Sequence, residues 1–363
     1  MKTLAATLIL GLALVSGAPA QDAGPADDLW PLYQQGRFDE VVQRGKALLS
    51  TGTETAQLNL AVGRALADQM QYAEAEIFLG RAAELDGAGR TWVYAWANVY
   101  LGICRLNAGD DDGARQVWIL ARNCGATANA TRNANNYLVY FTLDPMFDKW
   151  TTFTTDHFRF RFSDRLADLD KAAYARRHEE AYAAISTWFG GGPDQPIRFH
   201  VWADQPEADA AGMPQLGFAR PELNLVHCLL AQTVGHEMTH VISSAALQPT
   251  VRVGLINEGT AVYHDQTGRD RLAVARQAQA GATSESGAPL PPVALRALWD
   301  DWTLLPGEAA YPLAGAWIER LVARGGREKF LTFFTDQSRA HAREVYGAEL
   351  ETWIDAFEAD LHR

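Results

Sequence analysis

The chain has 363 residues, of which 48% are hydrophobic and 21% are charged. This is the composition of a folded globular protein, and the length predicts about two domains. Asp and Glu number 44 against 32 Lys and Arg, which gives a formal net charge of -12. No basic tract is present to neutralise phosphates, so we expect no nucleic-acid partner.

The first twenty residues have the pattern of a secretory signal peptide. Lys2 precedes an apolar run from Leu4 to Val15, and Ala18-Pro19-Ala20 places small residues where signal peptidase cleaves. The run is shorter than the ~20 residues that span a bilayer. We therefore expect residues 1–20 to be removed and the mature chain to be exported, to a periplasm or outside the cell, without a transmembrane anchor.

Residues 27–145 read as successive helices rich in Ala and Leu, with internal self-similarity. The segment 35–41 (QGRFDEV) aligns with the segment 69–75 (QMQYAEA), so that Phe38 and Tyr72 stand 34 residues apart, and a looser third copy begins at Asn107. This pattern resembles tetratricopeptide repeats. The resemblance implies an all-α helical-repeat domain whose concave face recruits a peptide or a partner protein. A nonrepetitive helical bundle is the alternative.

The three cysteines contain no CxxC pair for thiol exchange or a zinc knuckle. Cys104 and Cys124 lie in predicted helices, where two outcomes stay open: a disulfide across a helical hairpin, or two buried free thiols. Cys228 lies in an apolar stretch and is expected to be a buried structural thiol.

The pattern changes near residue 148, and a second domain is predicted over residues 150–363. Residues 156–162 alternate apolar and polar side chains, as a strand with one buried face does. A helix with a mostly apolar face follows and ends at Gly190, and further strands are predicted over 197–202 and 222–226.

The next segment contains an HExxH motif, His236-Glu237-Met238-Thr239-His240, in a helix predicted from Leu229 to Leu247. Residues four apart on a helix share one face, so His236 and His240 can offer imidazole nitrogens to a single Zn²⁺. Glu237 is placed beside them to take a proton from water as that water attacks a carbonyl.

A catalytic zinc ion needs a third protein ligand and keeps a fourth position for water. Glu258 lies 18 residues after His240, in the segment 256–263 (INEGTAVY), at the predicted start of a second helix. An antiparallel pair of helices joined by residues 243–253 would return Glu258 to the metal.

The segments HEMTH and NEGTAVY together resemble the glutamate-zincins (gluzincins), in particular the secreted peptidase-MA-like proteins. The strand at 157–162 and the predicted helix at 311–321 agree with that family. The resemblance implies an α/β (α+β) zincin-like metallopeptidase domain with a small mixed sheet and a helical C-terminal lobe. It also implies one Zn²⁺ per chain with His236, His240 and Glu258 as ligands and Glu237 as the general base.

Other polar side chains receive weaker assignments. Tyr311 is the first candidate for a donor to the oxyanion, with a packing role as the alternative. Asp265 is expected to orient a ligand histidine. His264 and His341 are further donor candidates, with a solvated or hydrogen-bonded surface histidine as the alternative, and His200 and His227 are interpreted as buried core side chains.

These features predict an exported zinc-dependent peptidase that hydrolyses peptide bonds. No propeptide is evident between residues 21 and 28, so we expect an endopeptidase of narrow specificity. The strand before the active helix is expected to form the edge of the cleft, where an extended peptide adds by backbone hydrogen bonds. The alternative is a cell-envelope scaffold or assembly factor with a structural or rarely used zinc site. The adjacent carboxylate of Glu237 favours the enzyme, because a purely structural site has no use for it.

Overall fold

The computed structural model describes residues 26–213, 217–284 and 287–361. They divide into two compact units with a boundary after Trp150, and a short segment from Pro206 groups with the first unit. The chain is mostly helical with one small sheet. The predicted signal peptide lies outside the described residues. Within the described ranges no helix is both long enough and apolar enough to cross a membrane.

The first unit is built from consecutive helices that pack against their neighbours along the chain. Their bounds are α1 Leu29–Gln34, α2 Phe38–Ser50, α3 Ala56–Asp68, α4 Tyr72–Leu85, α5 Trp92–Asn107, α6 Asp111–Cys124, α7 Ala128–Thr142 and α8 Asp144–Phe147. The aligned aromatic residues Phe38 and Tyr72 are each the first residue of a helix, so the two sequence copies have matching helix starts.

Two pairs of helices in this unit share one close-packing arrangement. A Cβ at Gly63 of α3 would lie 2.7 Å from Cγ of Leu79 in α4, and a Cβ at Gly102 of α5 would lie 2.1 Å from Nε1 of Trp118 in α6. In each pair the glycine precedes its neighbour by 16 residues. The missing side chain lets a large apolar residue of the next helix pack directly on the glycine backbone.

A partly buried arginine joins three helices of the unit. The Arg64 guanidinium of α3 lies 4.6 to 5.6 Å from the ring centroids of Trp30 and Tyr33 in α1 and of Trp96 and Tyr100 in α5. Cation–π contacts of this kind stabilise a packed cluster by roughly 0.5–2 kcal/mol each.

The cysteines are free thiols, so the disulfide alternative does not hold. Cys104 is buried in α5, and burial raises its pKa to about 12. Cys124 at the end of α6 is only half-buried, and its thiol donates to the Arg90 carbonyl at 3.0 Å. Cys228 is a buried thiol, as expected.

The second unit contains a mixed sheet with strand order β1-β2-β3-β5-β4. The strands are β1 Thr151–Thr154, β2 Phe158–Phe162, β3 Ile197–Trp202, β4 Phe218–Arg220 and β5 Leu225–Leu229. The central strands β2, β3 and β5 are parallel, and the edge strands β1 and β4 are antiparallel to their neighbours. The predicted small mixed sheet is thus confirmed, and β3 has the predicted bounds.

Two expectations about the strand that precedes the HExxH helix are wrong. Residues 221–223 form a turn of 3-10 helix, and Asn224 is in the left-handed region with φ 50°, so the strand begins only at Leu225. That strand, β5, lies between β3 and β4 inside the sheet, and β4 forms the edge instead.

Helices cover the sheet and form the C-terminal lobe. Their bounds are α9 Lys171–Phe189, α11 His236–Leu247, α12 Gly254–Tyr263, α13 Arg271–Ala280, α14 Leu295–Asp300, α15 Gly307–Gly325, α16 Arg327–Phe334, α17 Arg339–Tyr346 and α18 Glu349–Leu361. The short helix α10 Gln205–Ala210 lies almost wholly in the segment that groups with the first unit. Helices α9 and α11 share a core with the Phe158, Phe160 and Phe162 face of the sheet. Helices α12 and α15 belong to a second core, with α16 and α18. Helix α9 ends at Gly190, as predicted.

Candidate metal centre

Helix α11 begins at His236, later than the predicted start at Leu229. The reason is local: Leu229 is still the last residue of β5, and Gly235 has φ 109°, a conformation that favours glycine. An ideal Cβ at Gly235 would also lie 2.5 Å from the carbonyl oxygen of His264, just after α12. The first turn of α11 therefore touches the end of α12.

This contact and the packing of α11 on α12 bring three side chains together. Nε2 of His236 lies 3.5 Å from Oε2 of Glu258, and Nε2 of His240 lies 3.3 Å from the same oxygen. One ligand atom from each residue lies within 4.8 Å of the other two. Glu258 is one turn inside α12 rather than at its start.

The spacing fits a tetrahedral metal ion. Zinc bound to nitrogen and oxygen at about 2.0–2.1 Å puts neighbouring ligand atoms about 3.3–3.4 Å apart, which is close to both histidine–glutamate distances. Two imidazoles and one carboxylate are also the donor set that leaves a fourth position for water. The cluster of His236, His240 and Glu258 can therefore hold one such ion.

The electrostatics of the cluster favour an ionised carboxylate facing the imidazoles. Burial alone would raise the pKa of Glu258, but His240 and His236 outweigh it and hold that pKa well below its usual range. Burial acts to lower the pKa of His236, but the hydrogen bond that its ring donates to the Glu258 carboxylate, together with the nearby carboxylates, raises that pKa overall. The charged carboxylate is the form that binds a cation.

Glu237 is buried in the first turn of α11, beside both histidines. Burial raises the pKa of its carboxyl above the usual value, against the opposing effect of His236 and His240. Its Oε1 accepts a hydrogen bond of 2.7 Å from Nε2 of Gln232. A carboxylate with a raised pKa is a better proton acceptor, which is the property that a general base needs.

The structure places a further polar residue against the cluster. The side-chain amide of Asn257 lies 3.1 Å from Nδ1 of His240, the ring nitrogen that does not face Glu258. Sequence reasoning used Asn257 only as a neighbour of Glu258 and passed over Gln232. No spacing rule singles out either one, because each contact depends on how α11 meets another segment.

Tyr311 lies next to the cluster. Its ring centroid is 5.9 Å from that of His236 and 5.6 Å from that of Trp302. Burial raises the pKa of its hydroxyl well above the usual value, and the carboxylates of Glu258 and Glu237 add to the effect. The hydroxyl therefore stays protonated and able to donate a hydrogen bond at neutral pH.

Asp265 follows α12. Its carboxylate accepts from Thr267 at 2.7 Å and pairs with Arg271 at 3.5 Å. It is also the last and smallest of the carboxylates that raise the pKa of His236 against the effect of burial. Asp265 thus acts on His236 by charge.

Four other histidines considered from the sequence lie elsewhere in the second unit. His264 packs among the rings of Trp188, Phe189 and Tyr263, and burial lowers its pKa to about 4. His341 of α17 contacts Glu344 and the Thr332 carbonyl. His200 and His227 are buried in the sheet with rings stacked at 4.5 Å, which confirms their interpretation as core side chains.

A scan of the chain against protein-family profiles gave no match. A search of the curated proteins gave none either.

Proposed function

We propose that the protein is an exported zinc-dependent peptidase in which His236, His240 and Glu258 hold one Zn²⁺ and Glu237 is the general base. One observation carries the proposal: three ligand atoms converge, both histidine–glutamate distances are close to those around a tetrahedral zinc ion, and a buried carboxylate lies beside them. A site for structure alone requires the three ligands but not Glu237, whose charged form is costly to bury without a purpose in the reaction.

When bound, zinc supplies Lewis-acid chemistry: it polarises a carbonyl and lowers the pKa of a water molecule. Glu237 accepts a proton from the attacking water and passes it to the leaving amine. The Tyr311 hydroxyl donates a hydrogen bond to the carbonyl oxygen as negative charge develops there. Asn257 fixes the ring orientation of His240. In this proposal Glu237, Tyr311 and Asn257 each have a separate role in peptide hydrolysis.

The substrate in this proposal is an extended peptide that pairs with the edge strand β4. The packing of α11 against β4 supports this choice of edge, because α11 carries His236 and His240. The repeated glycine packing of α3 on α4 and of α5 on α6 supports a tetratricopeptide-like arrangement of the first unit. We propose that this unit recruits the substrate or a partner protein, which would account for a narrow endopeptidase specificity.

The test compares the chain from Gln21 onward with its Glu237→Gln and His240→Ala variants. Zinc content and cleavage of a peptide library are measured on each. We expect about one zinc per chain and cleavage for the wild type, zinc without cleavage for Glu237→Gln, and loss of zinc for His240→Ala. Zinc in an inert wild type would favour the scaffold function, and a wild type without zinc would refute the metal centre.

A further inference from the structure

The segment between β5 and α11 carries a side chain that reaches the buried carboxylate of Glu237. Gln232 Nε2 donates to Glu237 Oε1 at 2.7 Å, a length typical of a hydrogen bond to an ionised acceptor. At the other end of the amide, Oε1 of Gln232 accepts from the backbone N–H of Leu229 at 3.3 Å. The two contacts determine which way the amide faces, because the reverse orientation would set oxygen against carboxylate and NH₂ against N–H.

Gly217, just before the edge strand β4, bounds the same amide. An ideal Cβ at position 217 would lie 2.2 Å from Oε1 and 2.7 Å from Nε2 of Gln232. The backbone of Gly217 does not have a positive φ, so an alanine there is limited by space and not by conformation. The Gln232 amide thus packs directly against the backbone of Gly217.

These contacts leave Glu237 with one fixed oxygen and one that is available to a water molecule. A glutamate side chain has several rotatable bonds, so its carboxylate needs a partner to hold one orientation. Gln232 supplies that partner, and its own amide is bounded by Leu229 at the end of β5 and by Gly217 just before β4.

We propose that Gln232 is a positioning residue that holds the carboxylate of Glu237 in the orientation required of the general base, with Gly217 providing the space for it. This inference rests on the proposed peptidase function. It assigns Gln232 no contact with metal or substrate.

The test is a double-mutant cycle on the same protein with zinc bound. Gln232→Ala removes the donor, and Gly217→Ala pushes the amide away while leaving Gln232 in the sequence. Each is expected to lower kcat by about 10- to 100-fold, the usual cost of losing an outer-shell partner, with KM and zinc content unchanged. The double variant is expected to match Gln232→Ala alone, because the added methyl group then has no amide to displace. Thr233→Ala, an exposed neighbour, is the matched control.

A second readout does not depend on activity. In the metal-free chain labelled at the glutamine side-chain nitrogen, the Nε2 signal of Gln232 is assigned by its loss in Gln232→Ala. It is expected to move in Glu237→Ala and in Gly217→Ala.

The inference is overturned if Gln232→Ala cleaves as fast as Thr233→Ala, or if Gln232→Ala and Gly217→Ala lower kcat independently of each other. It is also overturned if the Nε2 signal of Gln232 does not move in Glu237→Ala. Failure of the proposed function is a different result, since the wild type with zinc would then cleave no peptide at all.

Discussion

The side-chain amide of Asn257 lies 3.1 Å from Nδ1 of His240, while Nε2 of the same ring lies 3.3 Å from Glu258. Two consecutive residues of α12 thus serve the two nitrogens of one imidazole. A ring that binds a metal through Nε2 carries its proton on Nδ1, and Asn257 can accept that proton through its oxygen after a half-turn of the amide. In that orientation of the amide, the contact fixes both the ring and the tautomer that leaves Nε2 to the metal.

We predict that Asn257→Leu lowers the zinc affinity by about 10- to 100-fold, because the His240 ring loses its second partner. Asn257→Asp keeps an acceptor in the same place and is expected to stay near the wild-type affinity. Competition with a chromophoric chelator measures both. Equal affinities for Asn257→Leu and the wild type would show that the ring is held by packing alone.

Tyr311→Phe is expected to lower kcat by about 10²- to 10³-fold, the range seen when one donor to an oxyanion is removed. Zinc content and thermal stability should not change. Tyr346→Phe is the matched control, since the Tyr346 hydroxyl is buried, has no hydrogen-bond partner within the described structure, and lies in α17. A similar kcat for the two variants would leave Tyr311 with a packing role only.

In the first unit, Gly102→Ala should destabilise the fold by about 1–3 kcal/mol, because the new Cβ would meet the Trp118 ring at 2.1 Å. Gly80→Ala in α4 is the control, since nothing lies within 4 Å of a Cβ there. Alanine in a helix interior is favoured over glycine by about 0.5–1 kcal/mol, so this variant should gain stability. Chemical denaturation of the two variants measures the difference, and a loss in both would contradict the close-packing argument.

His178 should make the second unit sensitive to acid. Burial lowers its pKa to about 4, and Nδ1 donates to the Tyr174 carbonyl at 2.9 Å, so the folded chain holds this ring neutral. The unfolded chain binds the proton from about pH 6.5 downward. The free energy of unfolding is therefore undiminished by His178 above that pH, and it falls by about 3 kcal/mol as the pH approaches 4.

The free energy of unfolding measured from pH 7 to pH 4 checks this sign. His178→Phe should give a flatter curve, because no proton is then taken up at this position on unfolding. Parallel curves for the variant and the wild type would mean that other groups cause the acid loss.

Sequence patterns located the buried strand β3, which has its predicted bounds, and the end of α9 at the predicted glycine. Strands β1 and β4 were missed for a physical reason. Each lies at an edge of the sheet, and neither shows the alternation of buried and exposed side chains that predicts a strand.

In the candidate site, too, some residues could be found from the sequence and others could not. The helical spacing of four residues placed His236 and His240 on one face, and the sequence alone was enough for that. Gln232 and Asn257 depend on tertiary contacts of β4, β5 and α12 with the start of α11, which no local pattern encodes. The late start of α11 was missed because the positive φ of Gly235 cannot be read from an apolar run.

Gly235 is a position of the candidate site that should tolerate few substitutions. Its backbone touches the His264 carbonyl directly, so main-chain atoms limit how closely the helices that carry His236 and Glu258 approach at this point. A replacement at 235 would add a Cβ 2.5 Å from that carbonyl oxygen and push the two helices apart. In a saturation library selected for function, position 235 should therefore be as depleted of substitutions as the proposed ligands, although it offers no atom to a metal.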